Sequence, residues 1–257
     1  MILNSILLFL LGTMIGSFLS VVISRIHTQK KGIFFGRSEC PKCSKKLCFG
    51  DLVPLLSFLS NKGKCRYCKE SIGVWYFLLE LFTGLILVVL YLKFPFYDLN
   101  STLIYSYFAV ISVFLTGILF YDLKFMEIPE IFTYPCIVII FLFTVLTNSA
   151  GLYDMVIGGA VAGLFFGFQV WLSKEKWMGA GDTQVGILIG MLLGWKFLIM
   201  CLLIAYFTGA IISMTLIIGG KVTGKTQIPF APFLIFATFI CIFFGEYLMG
   251  LYLQTLL

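Results

Sequence analysis

The feature that most constrains this chain is a series of apolar runs long enough to cross a lipid bilayer. A bilayer core about 30 Å thick requires about 20 apolar residues per helix. Hydrophobic residues make up 60% of the chain, its mean hydropathy is +1.05, and only 12% of residues are charged. We therefore predict an all-α polytopic membrane protein with about eight transmembrane helices, at residues 2–24, 75–93, 101–121, 131–147, 153–173, 184–195, 197–219 and 230–255.

The positive charge is distributed as in a membrane protein whose basic loops face the cytoplasm. More than half of the 18 Lys and Arg residues lie between Arg25 and Lys69, so the net charge of +6 indicates membrane orientation rather than nucleic-acid binding. If segment 25–74 is cytoplasmic, alternation places three further connections on the same side. These carry Lys124, Lys174, Lys176, Lys221 and Lys225, whereas the opposite side carries Lys93 and Lys196. No basic start precedes the first run, which predicts a retained helix with its amino end outside.

Four cysteines in the basic segment have the spacing of a tetrathiolate zinc site. Two Cys-x2-Cys motifs, Cys40/Cys43 and Cys65/Cys68, are separated by 21 residues. Zn²⁺ bound by four thiolates would stabilise a segment too small to fold on a hydrophobic core. The alternatives are disulfides or unrelated thiols, and a reducing cytoplasm disfavours disulfides. We expect three parts: a first helix (1–24), a small cytoplasmic zinc-ribbon-like domain (25–74) and a helical membrane core (75–257).

Two aspartates close apolar runs on the side predicted to be cytoplasmic. Asp122 ends the run 101–121, and Asp182 follows Gly179 and Gly181 before the next run. Charge beside lipid-buried helices indicates function, and two adjacent carboxylates can share one proton, as in aspartic peptidases. The flanking glycines would allow close backbone approach. The alternative is a turn in which Asp182 is an N-cap.

The other polar residues in this chain give weaker indications. Glu80, inside its span, is interpreted either as a partner for a cationic group or as an acid satisfied by a neighbouring hydroxyl or Lys. Ser17, Ser20 and Ser24, on one face of the first helix, are interpreted as helix-packing residues. The single histidine, His27, has no nucleophile motif near it, and nucleotide-binding loops and His-Glu-x-x-His are absent from the sequence.

Several motifs, in order along nearly the whole chain, resemble those of the bifunctional type IV prepilin peptidases, aspartic peptidases of family A24 in bacterial inner membranes. Apart from the cysteine pairs and the two aspartates, the matching stretches are Gly16–Leu19, Asp51–Ser57, Glu80–Gly84, Ile128–Pro129, Thr133–Pro135 and Ile228–Phe233.

The resemblance implies an enzyme that removes the short basic leader from type IV prepilins or secretion pseudopilins, typically between Gly and Phe. Asp122 and Asp182 would be the catalytic pair, supported by Gly179 and Gly181, and the active site would face the cytoplasm. It also implies N-methylation of the new amino terminus with S-adenosyl-L-methionine, in association with the cysteine segment. The contacts of this cofactor are not assignable from the sequence.

The chain departs from the family pattern at Gln184, where Lys is usual, at Glu130, where Asp is usual, and at Ser20, where Asn is common. Loss of a cation at position 184 predicts an activity optimum at higher pH, which the pH profile of a Gln184→Lys variant would test. Two alternatives stay open: a peptidase without methyltransferase activity, and a non-enzymatic transporter or assembly scaffold in which the aspartates bind an ion or cap helices.

Overall fold

The protein is described here from a computed structural model. The structure describes residues 1–29, 32–33, 36–40, 42–147, 151–176, 178–221, 223 and 226–256. Pro41 of the first cysteine motif, Lys225 of the last basic connection, and Lys30 and Lys31 lie outside these ranges. Within them, the chain is helical, with two isolated β-bridges, Glu39 with Lys46 and Lys64 with Ser71, and no strand.

Eight α-helices and one short 3₁₀ helix make up the described fold, and their order follows the apolar runs. The α-helices are α1 (Ile2–His27), α2 (Leu56–Ser60), α3 (Val74–Lys93), α4 (Leu99–Phe125), α5 (Glu130–Leu146), α6 (Leu152–Ser173), α7 (Ala180–Ile218) and α8 (Ala231–Leu256). The 3₁₀ helix covers Phe49–Leu52. The chain divides into two compact units, Met1–Gly117 and Ile118–Leu257.

Six of the described helices are long and apolar enough to span a membrane: α1, α3, α4, α6, α7 and α8. The polytopic all-α prediction is therefore confirmed. Helix α5 is apolar but has 17 residues, at the lower limit for a span. The count of eight transmembrane helices is not confirmed, because the predicted spans 184–195 and 197–219 are parts of one 39-residue helix, α7.

Helix α7 has a break in its interior at the point where the sequence placed a boundary between two spans. Gly194 has φ 72° and ψ 167°, which are not helical values. A positive φ of this kind is accessible to Gly at little energetic expense, whereas a Cβ would be strained. The residues before Gly194 pack on α6, and those after it pack on α8 and also contact α6 through Tyr206.

In the amino-terminal unit, α1 and α3 pack antiparallel through small residues. Gly12 of α1 lies against Thr83 and Gly84 of α3, where an added Cβ would be 2.7 Å from the Thr83 carbonyl oxygen. Gly16, one turn later, lies against Glu80 of α3. A Cβ added at Gly16 would be 2.8 Å from the Glu80 Cα. Small residues at such positions let helices in lipid approach closely enough for van der Waals packing.

In the carboxyl-terminal unit, α6 and the first half of α7 pack in the same way and even more closely. Gly158 of α6 lies directly against Gly190 of α7. The carbonyl oxygen of each glycine occupies the space that a Cβ on the other would need. About two turns after Gly158, Phe166 of α6 fills the space above Gly186 of α7. The close approach of these two helices fixes the position of the α7 amino terminus, which carries Asp182.

Gly158→Ala should destabilise the protein, because the new methyl group would overlap the Gly190 carbonyl. Overpacking of this kind typically lowers the free energy of unfolding by about 1–3 kcal/mol. Gly167→Ala, on the same helix with nothing within 4 Å of an added Cβ, should be neutral or stabilising by up to about 1 kcal/mol. Thermal unfolding of both variants in detergent tests the packing, and equal melting temperatures would contradict it.

Candidate active site and cysteine cluster

Asp122 lies in the last turn of α4 and is almost fully buried. Its side chain is 4% exposed, and its Oδ2 atom is buried without a hydrogen-bond partner in the described structure. Its carbonyl accepts a hydrogen bond from the Met126 amide at 2.8 Å, and Met126 has a φ of 56°, which turns the chain out of the helix. An unpaired buried carboxylate oxygen is unfavourable unless a substrate, water or proton satisfies it.

Asp182 lies in the first turn of α7, at the third helical position rather than at the N-cap considered from the sequence. The N-cap is Gly179, whose amide donates to Asp182 Oδ2 at 3.2 Å. The partial positive charge of a helix amino terminus stabilises an anionic carboxylate at this position. The carboxyl end of α4 has the opposite polarity, so the two aspartates occupy unlike electrostatic environments.

The structure brings the two aspartates together within the carboxyl-terminal unit, near enough for Asp182 to act electrostatically on Asp122 and on the Tyr206 hydroxyl. Gly181, beside Asp182, lies against Ile128 in the connection that follows Asp122. A Cβ added at Gly181 would be 3.0 Å from the Ile128 Cβ. At Gly179 the same addition meets only ordinary contacts, the nearest being Asp182 Oδ2 at 3.8 Å. The two glycines therefore have different surroundings: a side chain at position 181 would meet Ile128, whereas Gly179 donates its amide to Asp182.

Other polar side chains line the region around Asp182. Gln184 Nε2 donates to the Tyr134 hydroxyl at 3.3 Å, and the Tyr206 hydroxyl donates to Gln169 Oε1 at 3.1 Å. Gln184 Oε1 and Thr183 Oγ1 are buried without hydrogen-bond partners in the part of the chain described. Tyr206 and Gln169 were missed from the sequence, although each is a polar side chain inside an apolar run, which is a signal of function.

The four cysteines of the two motifs form one cluster in the amino-terminal unit. The sulfur atoms of Cys40, Cys43, Cys65 and Cys68 all lie within 4.8 Å of one another, and those of Cys40 and Cys68 are 3.9 Å apart. A tetrahedron of thiolates at 2.3 Å from a zinc ion has edges of about 3.8 Å. The cysteines are free rather than disulfide-bonded.

The two motifs share the same pair of backbone hydrogen bonds. The amide of Cys40 donates to the Lys45 carbonyl and the amide of Ser44 to the Cys40 carbonyl; the corresponding bonds join Cys65 to Glu70 and Lys69 to Cys65. Ser44 and Lys69 both have positive φ, at 54° and 59°. Hydrogen bonds from the Cys68 and Tyr67 amides lower the pKa of the Cys65 thiol to about 7. Amide donors that favour the thiolate suit a metal ligand.

Comparisons with known proteins show the family of the chain. Residues 10–94 match the family model described as the bacterial peptidase A24 N-terminal domain, and residues 109–214 match the type IV leader peptidase family. The chain belongs to the type IV leader peptidase family. It is therefore related to a family of enzymes, and the non-enzymatic alternative is not supported.

Relatives named prepilin leader peptidase/N-methyltransferase cover most of the chain. The protein of Aeromonas salmonicida strain A449 is 32% identical over 285 residues, covering 98% of this chain and 94% of the relative. The Vibrio cholerae protein is 34% identical over 204 residues, covering 75% and 78%. The Bacillus subtilis protein is 28% identical over 254 residues, covering 96% and 97%. No solved structure matches the chain.

Gly181→Ala should reduce prepilin cleavage, because the new methyl group would push the Ile128 connection, and Asp122 with it, away from Asp182. Displacements well below 1 Å suffice for a loss of about tenfold in rate. Adding Ile128→Gly should restore most of the activity, because it removes the Ile128 Cβ together with the rest of the opposing side chain. Gly179→Ala is the matched control, since it retains the amide donor. Equal rates for the two single variants in a detergent cleavage assay would contradict this assignment.

Metal analysis of the purified protein should find about one zinc ion per chain. Cys43→Ser or Cys68→Ser should abolish most of the bound zinc, because a tetrahedral structural site requires all four ligands. Cys48→Ser is the control: Cys48 is an exposed thiol of the same segment, outside the cluster. Retention of zinc by the cluster variants, or its loss from Cys48→Ser, would count against the site.

Proposed function

We propose that this protein is a membrane aspartic endopeptidase and N-methyltransferase. It removes the short basic leader from type IV prepilins or pseudopilins and methylates the new amino terminus. Membership of the type IV leader peptidase family carries this proposal, and the relatives with both activities in their names support it. The approach of two aspartates from the ends of different helices, α4 and α7, supports the assignment of Asp122 and Asp182 as the catalytic pair.

Asp182 and Asp122 would divide the acid and base functions between them. Asp182, at the positive end of the α7 dipole, is suited to hold negative charge and to take a proton from water. The water oxygen then bonds to the scissile carbonyl carbon. Asp122, in a buried environment near the carboxyl end of α4, is suited to be the protonated partner that donates to the leaving nitrogen as the C–N bond breaks.

The positive-inside distribution supports an orientation in which both aspartates face the cytoplasm of a bacterial inner membrane. Lys124, Lys174 and Lys176 flank the connections next to Asp122 and Asp182. A basic leader retained on that side would present its cleavage site near the bilayer surface, at the ends of α4 and α7. The substrate partners would be prepilins within the lipid bilayer, with no nucleic acid involved.

We propose that α7 crosses the membrane twice, with Gly194 between the two spans. Thirty-nine residues of continuous helix would extend about 58 Å, nearly twice the hydrocarbon thickness. Counting α7 as two spans, and α5 as a short one, gives eight, the number for which the basic connections alternate consistently. The three-part division into 1–24, 25–74 and 75–257 is retained as part of this proposal.

The cysteine cluster fits a structural zinc ion. Cys40, Cys43, Cys65 and Cys68 would hold it, and a closed tetrathiolate site stabilises a fold without taking part in catalysis. The matching backbone hydrogen bonds of the two motifs support a zinc-ribbon-like domain. S-adenosylmethionine would supply the methyl group.

Asp122→Asn and Asp182→Asn should each reduce leader cleavage by about 100- to 10,000-fold, because an amide cannot exchange the proton. Each variant should still methylate a pilin supplied without its leader, which demonstrates a folded protein. Mass spectrometry of a prepilin incubated with the protein and S-adenosylmethionine measures leader loss and methyl gain in one spectrum.

The matched control is Asp154→Asn, an exposed carboxylate in the first turn of α6, which should cleave normally. If Asp182→Asn cleaves at the wild-type rate, the aspartates are not the catalytic pair. Cleavage by the wild-type protein without methyl gain would restrict the function to proteolysis.

A further inference from the structure

A cavity lies in the amino-terminal unit, far along the chain from the two aspartates. Its volume is about 370 Å³, within the range of roughly 300–1,000 Å³ typical of small-molecule sites. One wall is the serine face of α1, formed by Ser17, Ser20 and Ser24, and another is the first part of α3, with Tyr76 and Glu80. The cysteine segment, including Cys40 and Cys65, completes the lining. The three serines therefore border a cavity, beyond the helix packing expected from the sequence.

The lining carries charges of both signs beside aromatic rings. Carboxylates of the lining include Asp51 and Glu80, and its guanidinium groups include Arg25 and Arg66. Arg66 lies 3.8 Å from Asp51 and is largely exposed, so this pair is weak and is readily rearranged around a ligand. A lining of this kind suits a zwitterionic molecule that also has a flat ring system.

Glu80 is the buried anchor of the cavity, with a side chain 8% exposed. Its Oε2 atom accepts a hydrogen bond from the Leu55 amide at 2.8 Å, and Ser17 lines the same cavity. An ionised carboxylate has about four acceptor positions, so this bond leaves capacity for a ligand. The alternatives drawn from the sequence, a satisfied acid and a partner for a cation, are therefore compatible.

The loop that Glu80 holds has a strained backbone. Leu55 has φ 60° and ψ −50°, and the Leu56 amide donates to the Pro54 carbonyl at 2.6 Å, which closes a three-residue γ-turn around Leu55. Turns of this sign are rare and cost about 1–3 kcal/mol. Strain of this kind persists where the surroundings fix it, and it concentrates at ligand sites. The same loop contributes Leu52 and Ser57 to the cavity wall.

We propose that this cavity binds S-adenosylmethionine, with Glu80 as the partner of its positively charged methionine end. The assignment rests on the methyltransferase part of the proposed function. Methyl transfer forms a bond from the nitrogen of the deprotonated amino terminus to the methyl carbon. The C–S bond breaks, and its electron pair stays on sulfur as S-adenosylhomocysteine leaves. A buried carboxylate binds the cationic donor more strongly than it binds this product, whose sulfur is neutral. The difference favours release of the product.

The test is equilibrium binding of radiolabelled S-adenosylmethionine alone to the full-length protein in detergent. Ser24→Phe should weaken binding at least about tenfold by filling the cavity. Glu80→Gln should weaken it by a similar factor, since a charge-assisted contact is lost while the amide oxygen still accepts the Leu55 amide. Ser5→Phe is the matched control for Ser24→Phe, because Ser5 lies near the other end of α1, outside the cavity, and it should bind normally.

Prepilin cleavage, measured in parallel, reports whether each variant is folded. Wild-type affinity in both Ser24→Phe and Glu80→Gln would overturn the assignment. If the wild-type protein methylates a pilin while those variants still bind the donor, only the location of the site is wrong. If the wild-type protein neither binds the donor nor methylates, the methyltransferase proposal fails as well.

Discussion

The contact between Gly158 and Gly190 is the one on which the carboxyl-terminal unit most depends. Lipid tails are as apolar as the helices they surround, so helices in a membrane gain little from hydrophobic burial and associate mainly through close packing. The absence of side chains at these two positions lets α6 and α7 meet backbone to backbone. That approach fixes where α7 begins, and with it the position of Asp182. The same device joins α1 to α3 through Gly12 and Gly16, which places Glu80 beside the serine face.

Both candidate sites use an acidic side chain at a place where a carboxylate is normally unfavourable. Asp122 is buried with one oxygen atom lacking a partner, and Glu80 is buried but bonded to a strained loop. In each case the neighbouring backbone determines what the carboxylate can do. The unlike ends of α4 and α7 distinguish the two aspartates, whereas the Leu55 amide orients Glu80 toward a cavity. Peptidase and methyl-transfer chemistry would therefore be separated into different units of one chain.

The sequence predicted most of the helices, because lipid imposes a length and an apolarity that few soluble segments share. It also predicted the cysteine grouping, since the spacing of ligands is local. It did not predict that α7 would continue through Gly194. The sequence Gly-Trp-Lys is compatible both with a break inside one helix and with a loop between two spans. The cavity was not predictable either: its walls come from α1, α3 and the intervening segment, and the serines that line it are typical of helix packing. Asp182 was expected, as one alternative, to be an N-cap, but Gly179 takes that position and Asp182 lies within the first turn of the helix.

The division of α7 between two partners affects how the protein is made. Residues before Gly194 run antiparallel to α6, which has just preceded them along the chain, and residues after it run antiparallel to α8, which follows. Each pairing joins neighbouring segments, so loop closure is inexpensive and contact order is low. The first hairpin is complete before α8 has been synthesised. Insertion into the bilayer can therefore proceed one helical hairpin at a time. Gly194 separates the part of α7 that pairs with α6 from the part that pairs with the later helix α8.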